Sequence, residues 1–350
     1  MPRWLVAAAV GLLPLTASAA NGLRPRTPAV FPDAPCVITA DAGSVVSIPY
    51  EVPFDDVDLT PEELPDSRQM QFFALRQVPF DYTLPTYITQ SDLDRAEANG
   101  DNTRMYGASD VLESSSAWPA GSWVAITPSD ARVPITIEQA AMGIEWSTAT
   151  SDTGAWVVAA YTWEPENNLW SFRLGVVRLV DPADPDSAGP AAFINAGLQA
   201  APAEIGEPYP VEACVAAPAG STVTASYGIL EGVDEPTWVP FAEDEVVQGD
   251  THSVDLLAPG EASGKSVKVR FEVTDPAGRT YVTYSPYPIL VFGDPSASDD
   301  DAGSSDDGDD DGGGCSCRAP GVGGDGPPAW WVLCAPVLLW RRSPLPDRAG

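Results

Sequence analysis

The sequence has few of the residues on which most enzyme sites and nucleic-acid surfaces depend. It contains a single histidine, His252, and 18 Lys and Arg residues against 50 Asp and Glu residues, which gives a net charge of −32. Binding to phosphates needs clusters of Lys and Arg, so this balance argues against nucleic acid and anionic membrane surfaces as partners. One histidine cannot form a His-based zinc cluster. We therefore predict no metal site, no cofactor-binding site and no cofactor.

Catalytic motifs are also scarce. The sequence has no Gly-x-Ser-x-Gly, and His252 follows a polar stretch that predicts a solvated turn. Paired carboxylates could in principle form a glycosidase dyad. The candidates are Asp55, Asp56 and Asp58, then Glu62 and Glu63, then Glu164 and Glu166. Such pairs are expected by chance in so acidic a protein, so we predict a non-enzyme with no catalytic residues and keep a carboxylate-based hydrolase as the alternative.

The N-terminus has the three parts of a secretory signal peptide. Arg3 supplies the positive charge, residues 4–15 are apolar, and residues 16–20 offer the small side chains that a signal peptidase needs. Cleavage is expected after Ala19 or Ala20, so residues 1–20 are assigned to the signal peptide.

The C-terminal part of the chain predicts a tether and an anchor. Residues 294–311 contain nine Asp and no base, and no Glu follows to close a calcium loop, so an extended acidic spacer is favoured. The spacer continues as a Gly-rich stalk with Cys315 and Cys317 up to residue 328. The apolar residues 329–340 would reach only about 18 Å as a helix, against roughly 30 Å of hydrocarbon. With Arg341 and Arg342 they predict a short membrane or sorting helix over 329–342, followed by a tail at 343–350.

This tail resembles the myxobacterial C-terminal sorting signal of the MYXO-CTERM type. The similarity lies in the Gly-rich Cys315-Ser316-Cys317 motif, the apolar block 330–340 and Arg341-Arg342. It implies that a sorting or processing protease cuts the segment and that the protein is fixed to the cell surface, at the outer membrane, through the motif cysteine. A local redox pair formed by Cys315 and Cys317 is the alternative.

Between the two ends, the sequence predicts a mainly β protein. Short runs rich in β-branched and aromatic residues alternate with Pro, Gly and Asp clusters, which is typical of sandwiches. Predicted strands lie at 45–50, 69–75, 122–126, 156–163 and 170–180. One short helix is predicted, with Thr89 or Ser91 as its N-cap, a body over 93–98 and a stop at Asn99-Gly100.

A weak internal repeat suggests two domains. The segment 36–50 is echoed by 214–227, and the strand pair within 157–181 is echoed by the pair within 267–294, each ending in Asp-Pro. In each copy the strand pair predicts a β-hairpin of the kind that closes an immunoglobulin-like or fibronectin-like sandwich. We therefore predict tandem β-sandwiches at 35–181 (with an insertion) and 209–293, joined by a linker at 182–208.

Four residues of the folded region are candidates for special roles. Cys36 and Cys214 are its only cysteines, and in an oxidising compartment they are expected to form a disulfide, with burial as separate thiols as the alternative. Trp163 and Trp170 flank a polar hairpin turn and could contact a ligand, or could pack in the core. Together these features predict an exported, surface-anchored protein with a structural, adhesive or ligand-contact role. A carbohydrate-binding or carbohydrate-hydrolysing extracellular module is the alternative, and the sequence does not identify the ligand.

Overall fold

Two β-sandwiches make up the folded part of the chain. The structure is a computed structural model that describes residues 26–32, 35–61, 63–76, 84–99, 106–164, 168–195, 202–232 and 234–293. All of these lie in one unit, residues 1–302. The predicted signal peptide, stalk, sorting helix and tail lie outside the described residues.

The first sandwich packs a seven-stranded sheet against a two-stranded sheet. Its strands are β1 (Val37–Asp41), β2 (Val45–Ile48), β3 (Gln69–Leu75), β4 (Trp123–Ala125), β5 (Val133–Pro134), β6 (Ile144–Ser147), β7 (Gly154–Trp163), β8 (Leu169–Phe172) and β9 (Val176–Val180). The large sheet has the order β1-β9-β7-β3-β4, with β5 paired to β3 and β8 paired to β7, and the small sheet is β2-β6.

The second sandwich packs a six-stranded sheet against a three-stranded sheet. Its strands are β10 (Ala191–Ile194), β11 (Ala203–Glu204), β12 (Pro208–Ala216), β13 (Thr222–Ile229), β14 (Val239–Val246), β15 (Thr251–Leu257), β16 (Ser266–Thr274), β17 (Thr280–Tyr284) and β18 (Ile289–Phe292). The larger sheet has the order β11-β18-β16-β13-β14 with β17 paired to β16, and the smaller one is β10-β12-β15.

The two sandwiches share one topology, which confirms the predicted fold class. In each, a long strand pairs first with a short strand and then, after a break, with the closing strand: β7 with β8 and β9, and β16 with β17 and β18. The closing strand also pairs in parallel with an early strand, β1 in the first sandwich and β11 in the second. Each large sheet is thus antiparallel except for one parallel pair, and this pair lies at the same edge of the sheet in both sandwiches.

Only one of the two sequence echoes reflects this repeat. The echo of the strand pair within 157–181 by the pair within 267–294 joins strands with equivalent places in the two sheets. The echo of 36–50 in 214–227 does not, because β1 pairs with the closing strand whereas β12, which contains Cys214, pairs with β15. A similar Ala-Gly-Ser turn in both segments produces the resemblance without structural equivalence.

The predicted linker 182–208 is more ordered than its Pro- and Ala-rich composition suggests. After a 3₁₀ turn at Pro185–Ala188 it forms β10, which pairs antiparallel with β12. It also forms β11, which pairs with β18. The stretch therefore supplies the first strand of each sheet of the second sandwich, because its Ala, Phe and Ile side chains are buried there.

Both faces of the large sheet in the first sandwich are covered. Phe72 and Ala74 of β3 face the two-stranded sheet and lie in the inner core. Their neighbours Phe73 and Leu75 point to the opposite face, where the insertion between β3 and β4 packs on them. This explains why β7 reads as a nearly continuous apolar run, since a strand buried on both faces loses its alternation.

Helix α1 (Gln90–Ala98) is part of that insertion and confirms the predicted helix. Thr89 caps it by accepting a hydrogen bond from the Asp92 amide, and the Asp92 carboxylate accepts one from the Thr89 amide. This reciprocal pair satisfies two amides of the first turn. The helix buries Leu93 and Ala96 against the sheet. Contrary to the prediction of one helix, a second one, α2 (Ile137–Met142), follows β5 and precedes β6.

Candidate functional site

The joint between the two sandwiches combines a disulfide, a shared hydrophobic core and a turn bonded to arginine side chains. A disulfide links Cys36, just before β1, to Cys214 in β12, across a sequence separation of 178 residues. The Cα atoms of the pair are 5.4 Å apart, within the usual range for a disulfide. The predicted bridge is thus confirmed, and it fastens one sandwich to the other.

A shared hydrophobic core surrounds the disulfide. Ala155, Val157 and Val176 from the first sandwich pack with Ala191, Phe193, Cys214 and Ala216 from the second. Phe172 lies between the two halves, with its ring centroid 6.2 Å from that of Phe193 and 6.1 Å from that of Tyr287. Because this apolar surface is removed from water only when the sandwiches are docked, it opposes their separation.

Two arginines hold the turn between the sandwiches. Arg178 of β9 donates from Nε to the Gly189 carbonyl at 2.8 Å and from Nη2 to the Pro185 carbonyl at 3.0 Å. Arg279, in the β16–β17 turn of the second sandwich, donates to the Asp186 carbonyl. Arg279 is itself oriented by the buried carboxylate of Asp275 at 2.6 Å. The turn is thus bonded to side chains from both sandwiches.

Close backbone contact at the joint requires a glycine. Gly175 has φ of +140°, and a Cβ atom built there would lie 2.3 Å from the Cys36 carbonyl oxygen. The same carbonyl accepts a hydrogen bond from the Val176 amide at 3.1 Å. A larger residue would push the disulfide-bearing strand away from β9.

Three of the carboxylates considered as catalytic candidates do converge, but around an arginine. Arg68 Nη1 lies 2.9 Å from Asp56 Oδ2, and its Nη2 lies 2.5 Å from Glu63 Oε1 and 3.5 Å from Glu164 Oε2. Arg26 makes a further ion pair with Glu164. The Arg68 side chain is 1% exposed, so solvent hardly reaches the centre of the cluster. Glu62 and Glu166 lie outside the described residues.

The electrostatics of this cluster suit a structural role. Burial raises the pKa of Glu164, although the charges of Arg26 and Arg68 act to lower it. The Glu164 carboxylate is buried and lies between two guanidinium groups, as expected for a charge used in packing. The Thr27 hydroxyl also donates to Asp56, at 2.8 Å, so the cluster ties the segment 26–32 to the sandwich. Asp55 and Asp58 lie in the adjoining loop, and Asp55 accepts a hydrogen bond from the Ile137 amide.

The two tryptophans considered for ligand contact face the covered side of the sheet. Trp163 is 0% exposed and lies under the guanidinium groups of Arg132, at 4.9 Å, and Arg95, at 5.8 Å. Trp170 is half-buried against Phe73 and Tyr161, and its indole Nε1 donates to the Pro85 carbonyl. The structure thus places Trp163 in the packed interior, which is the alternative that the sequence left open, and Trp170 packs against the same cluster.

His252 is not the solvated turn residue that the sequence suggests. It lies in β15, is buried, and its ring is 6.3 Å from that of Phe271. Burial lowers its pKa, partly offset by the charge of Glu245.

The remaining candidates concern anchoring. Cys315, Cys317, Arg341 and Arg342 lie outside the described residues, so their roles stay predictions. Within the described ranges, no helix has the length and apolar character needed to cross a bilayer. The same ranges contain no group of three or more His, Cys, Asp or Glu residues arranged to hold a metal ion.

Comparison with known proteins gives no family. No family model and no curated protein matches the chain. Among solved structures it is similar to an ICAM-5 ectodomain fragment, with 13% identity and a TM-score of 0.20, covering 77% of this chain and 51% of that one. It is also similar to the fibronectin(III)-like modules of Clostridium thermocellum CbhA, with 10% identity and a TM-score of 0.16, covering 75% of this chain and 94% of that one. The chain thus spans about half of the ICAM-5 fragment. Scores this low carry no argument, and the fold is assigned from the strand pairing.

Sequence reasoning found the disulfide but missed the rest of the joint. Phe172, Phe193, Arg178 and Arg279 lie in unremarkable strand or turn contexts, and no linear pattern marks them as neighbours. The one available signal was the short apolar run 191–194 inside the predicted linker, which a linker exposed to solvent would not carry.

Proposed function

We propose that this chain is an exported protein whose two docked β-sandwiches act as a rigid structural or adhesive element at the cell envelope. The observation that carries the proposal is the disulfide between the sandwiches. Disulfides persist in oxidising compartments outside the cytosol and are rare within it. A cross-link between domains suits a protein that must hold its shape where no repair machinery reaches it.

The shared core and the arginine-held turn support the rigid part of the proposal. Interfaces between domains of one chain are commonly polar and permit relative motion unless they are large and hydrophobic. This joint is apolar and cross-linked, so the two sandwiches would transmit force or position as one body. Asp56, Glu63 and Glu164 pair with Arg68, and Trp163 is buried, which favours a structural role over sugar hydrolysis for these residues.

Anchoring is proposed from the tail alone. The Asp-rich stalk would extend by self-repulsion and lift the sandwiches off the envelope. The resemblance to the MYXO-CTERM signal supports processing by a sorting protease and attachment through Cys315 or Cys317.

The test is to express the full chain in a myxobacterial host and determine its location and termini. We expect the surface fraction to contain a product without residues 1–20, with an oxidised Cys36–Cys214 pair and a shortened, modified C-terminus at Cys315 or Cys317. A double Cys315→Ser, Cys317→Ser variant should be released into the medium, whereas Cys334→Ser, in the apolar block, should stay anchored.

The two parts of the proposal fail separately. An unmodified product that ends at Gly350 and is free in the medium would contradict anchoring but leave export intact. Reduced Cys36 and Cys214 in a cytosolic product with its leader uncut would contradict export itself.

A further inference from the structure

The first sandwich carries an exposed apolar surface around α2, which we call the Met142 surface. We define it as the exposed side chains of Ile137 and Met142 and the cleft that they line, together with the exposed Val30 and Phe54 in the two segments bonded to it. Ile137 is 57% exposed and Met142 is 67% exposed, although both belong to a helix of six residues. Surface hydrophobics scattered singly need no explanation, but a group around a concavity marks an interaction site.

A cleft of about 550 Å³ lies at the centre of the Met142 surface. Buried Tyr50, Val52 and Ala140 contribute to its lining, and Ile137 and Met142 line it from α2. This volume is in the range of cavities that take a bulky side chain or a small ligand.

The walls of the cleft are fixed in place. The Ile137 amide donates to Asp55 Oδ1 at 2.7 Å, which ties the start of α2 to the loop that carries Phe54. On the other side, Val30 and Glu51 exchange backbone hydrogen bonds at 2.8 and 2.7 Å. Gly143 ends α2 with φ of +67°, and a Cβ there would be 3.1 Å from the Ile48 carbonyl oxygen, so the helix sits close on β2. A preformed surface loses little entropy on binding.

The charges around the Met142 surface have one sign. Glu51 lines the cleft, Glu138 is exposed on α2, and Asp55 is bonded at its edge. None of the described residues that line the cleft is basic. An apolar surface with an acidic rim is complementary to apolar side chains flanked by Lys or Arg.

This charge pattern decides between the possible occupants. A symmetric contact between two copies would bring identical acidic rims together without any base to compensate them. An anionic membrane surface would be repelled for the same reason. We propose that the Met142 surface binds a separate protein partner through a cationic amphipathic segment, with an apolar side chain in the cleft and basic residues beside Glu51 and Glu138. The proposal concerns a different site from the joint and does not depend on anchoring.

The test measures binding of a labelled amphipathic Leu/Lys peptide of 18 residues to the purified full chain, by fluorescence anisotropy at low ionic strength. A Leu/Glu peptide of the same pattern is the control ligand. We expect saturable binding of the Leu/Lys peptide in the micromolar range, weakened by added salt. The double variant Ile137→Ser, Met142→Ser should bind about tenfold more weakly. The double variant Glu51→Gln, Glu138→Gln should bind about fivefold more weakly.

Leu257→Ser provides the matched control, because Leu257 is 58% exposed but lies on β15 of the second sandwich. It should leave binding unchanged. The proposal is overturned if Leu257→Ser weakens binding as much as the Met142-surface variants, or if those variants bind normally. Binding of the Leu/Glu peptide with equal affinity would overturn it as well. So would phosphatidylglycerol vesicles bound in preference to the peptide, or a dimer in light scattering that the Ile137→Ser, Met142→Ser variant disperses.

Discussion

The two sandwiches share a topology but bury their sheets differently. In the first, the insertion with α1 covers the outer face of β3 and β7, so the sheet is buried on both sides. In the second, β15 alternates regularly between exposed and buried residues, and β16, in the other sheet, alternates between half-buried and buried residues over most of its length, as expected for sheets with one face towards water. The same strand order thus tolerates two patterns of burial.

The difference is also one of polarity. The core of the second sandwich is almost entirely aliphatic, with Phe271 and Tyr227 as its aromatic members. The covered face of the first sandwich contains tryptophans, tyrosines and ion pairs such as Arg132 with Asp92, at 2.7 Å. Covering a second face brings polar loop residues into the interior, and buried charges there must be paired. The comparison teaches that, among the described residues, buried ion pairs are concentrated in the first sandwich, although the second has one between Asp275 and Arg279.

The largest expected effect is at the centre of the buried ion cluster. Arg68→Gln should destabilise the protein by about 3–5 kcal/mol, because it leaves Asp56, Glu63 and Glu164 close together without their shared cation. Arg68 has φ of +58°, and the backbone strain of that conformation is the same with Gln, so the loss of stability measures the removal of the charge. Urea unfolding followed by tryptophan fluorescence measures it.

The control for that change is in the second sandwich. Arg270→Gln breaks a pair with Glu272, at 2.6 Å, that is partly exposed to solvent, and should cost no more than about 0.5 kcal/mol. Similar losses for both variants would remove the distinction between the two sandwiches.

Removing the disulfide should have the next largest effect. A Cys36→Ser, Cys214→Ser variant is expected to lose about 2–4 kcal/mol, because its unfolded state is no longer constrained over the long loop. Unfolding of the wild type with and without a reductant provides the check: reductant should reproduce the loss in the wild type and leave the variant unaffected. Equal stability of the oxidised wild type and the variant would show that the shared core alone sets the stability of the joint.

A glycine at the joint gives a smaller effect. Gly175→Ala should destabilise the protein by about 1–3 kcal/mol, since a methyl group would meet the Cys36 carbonyl in a strained backbone conformation. Gly154→Ala is the matched variant: Gly154 has φ of +120°, but nothing lies within 4 Å of the position of its Cβ. Differential scanning calorimetry should show a larger shift for position 175. If the two shifts agree, backbone strain and not the close contact with Cys36 determines the cost.

The smallest effect concerns pH and the second sandwich. Burial lowers the pKa of His252 in the folded state, so below its ordinary value near 6.5 the unfolded state binds more protons. Its contribution to stability is therefore complete above that value and is lost as the pH falls through it. His252→Gln should flatten the decline of the unfolding free energy between about pH 7 and pH 5 by less than about 1 kcal/mol. Parallel profiles for variant and wild type would contradict this.

Much of the fold could be predicted from local patterns. The strand at 69–75 was predicted with its observed bounds, because a short run rich in apolar and aromatic residues between turn signals indicates a strand. Helix α1 followed from Thr89, one of the two candidate N-caps, and from the stop at Asn99-Gly100. Helix α2 was missed because its apolar residues are exposed and give no core-facing stripe.

The joint could be predicted only in part. Two cysteines in a chain with a predicted signal peptide suggest a bridge whatever the fold. Contacts such as that between Phe172 and Phe193 join distant residues, and the local sequence around each residue does not indicate the other. The covered face of the first sandwich is a similar case. The continuous apolar run of β7 indicates burial on both sides, but it does not predict which segment of the chain covers the second face.

By itself, the sequence determined the β architecture and the capped helix, because both depend on residue type and spacing over a few positions. It also determined the cysteine pair, because Cys36 and Cys214 are the only cysteines of the folded region. Only the tertiary structure decided that Asp56, Glu63 and Glu164 surround Arg68, that Trp163 is buried, and that the predicted linker joins the second sandwich. These outcomes depend on which distant surfaces exclude water from one another, and that is a property of the packed chain rather than of any segment.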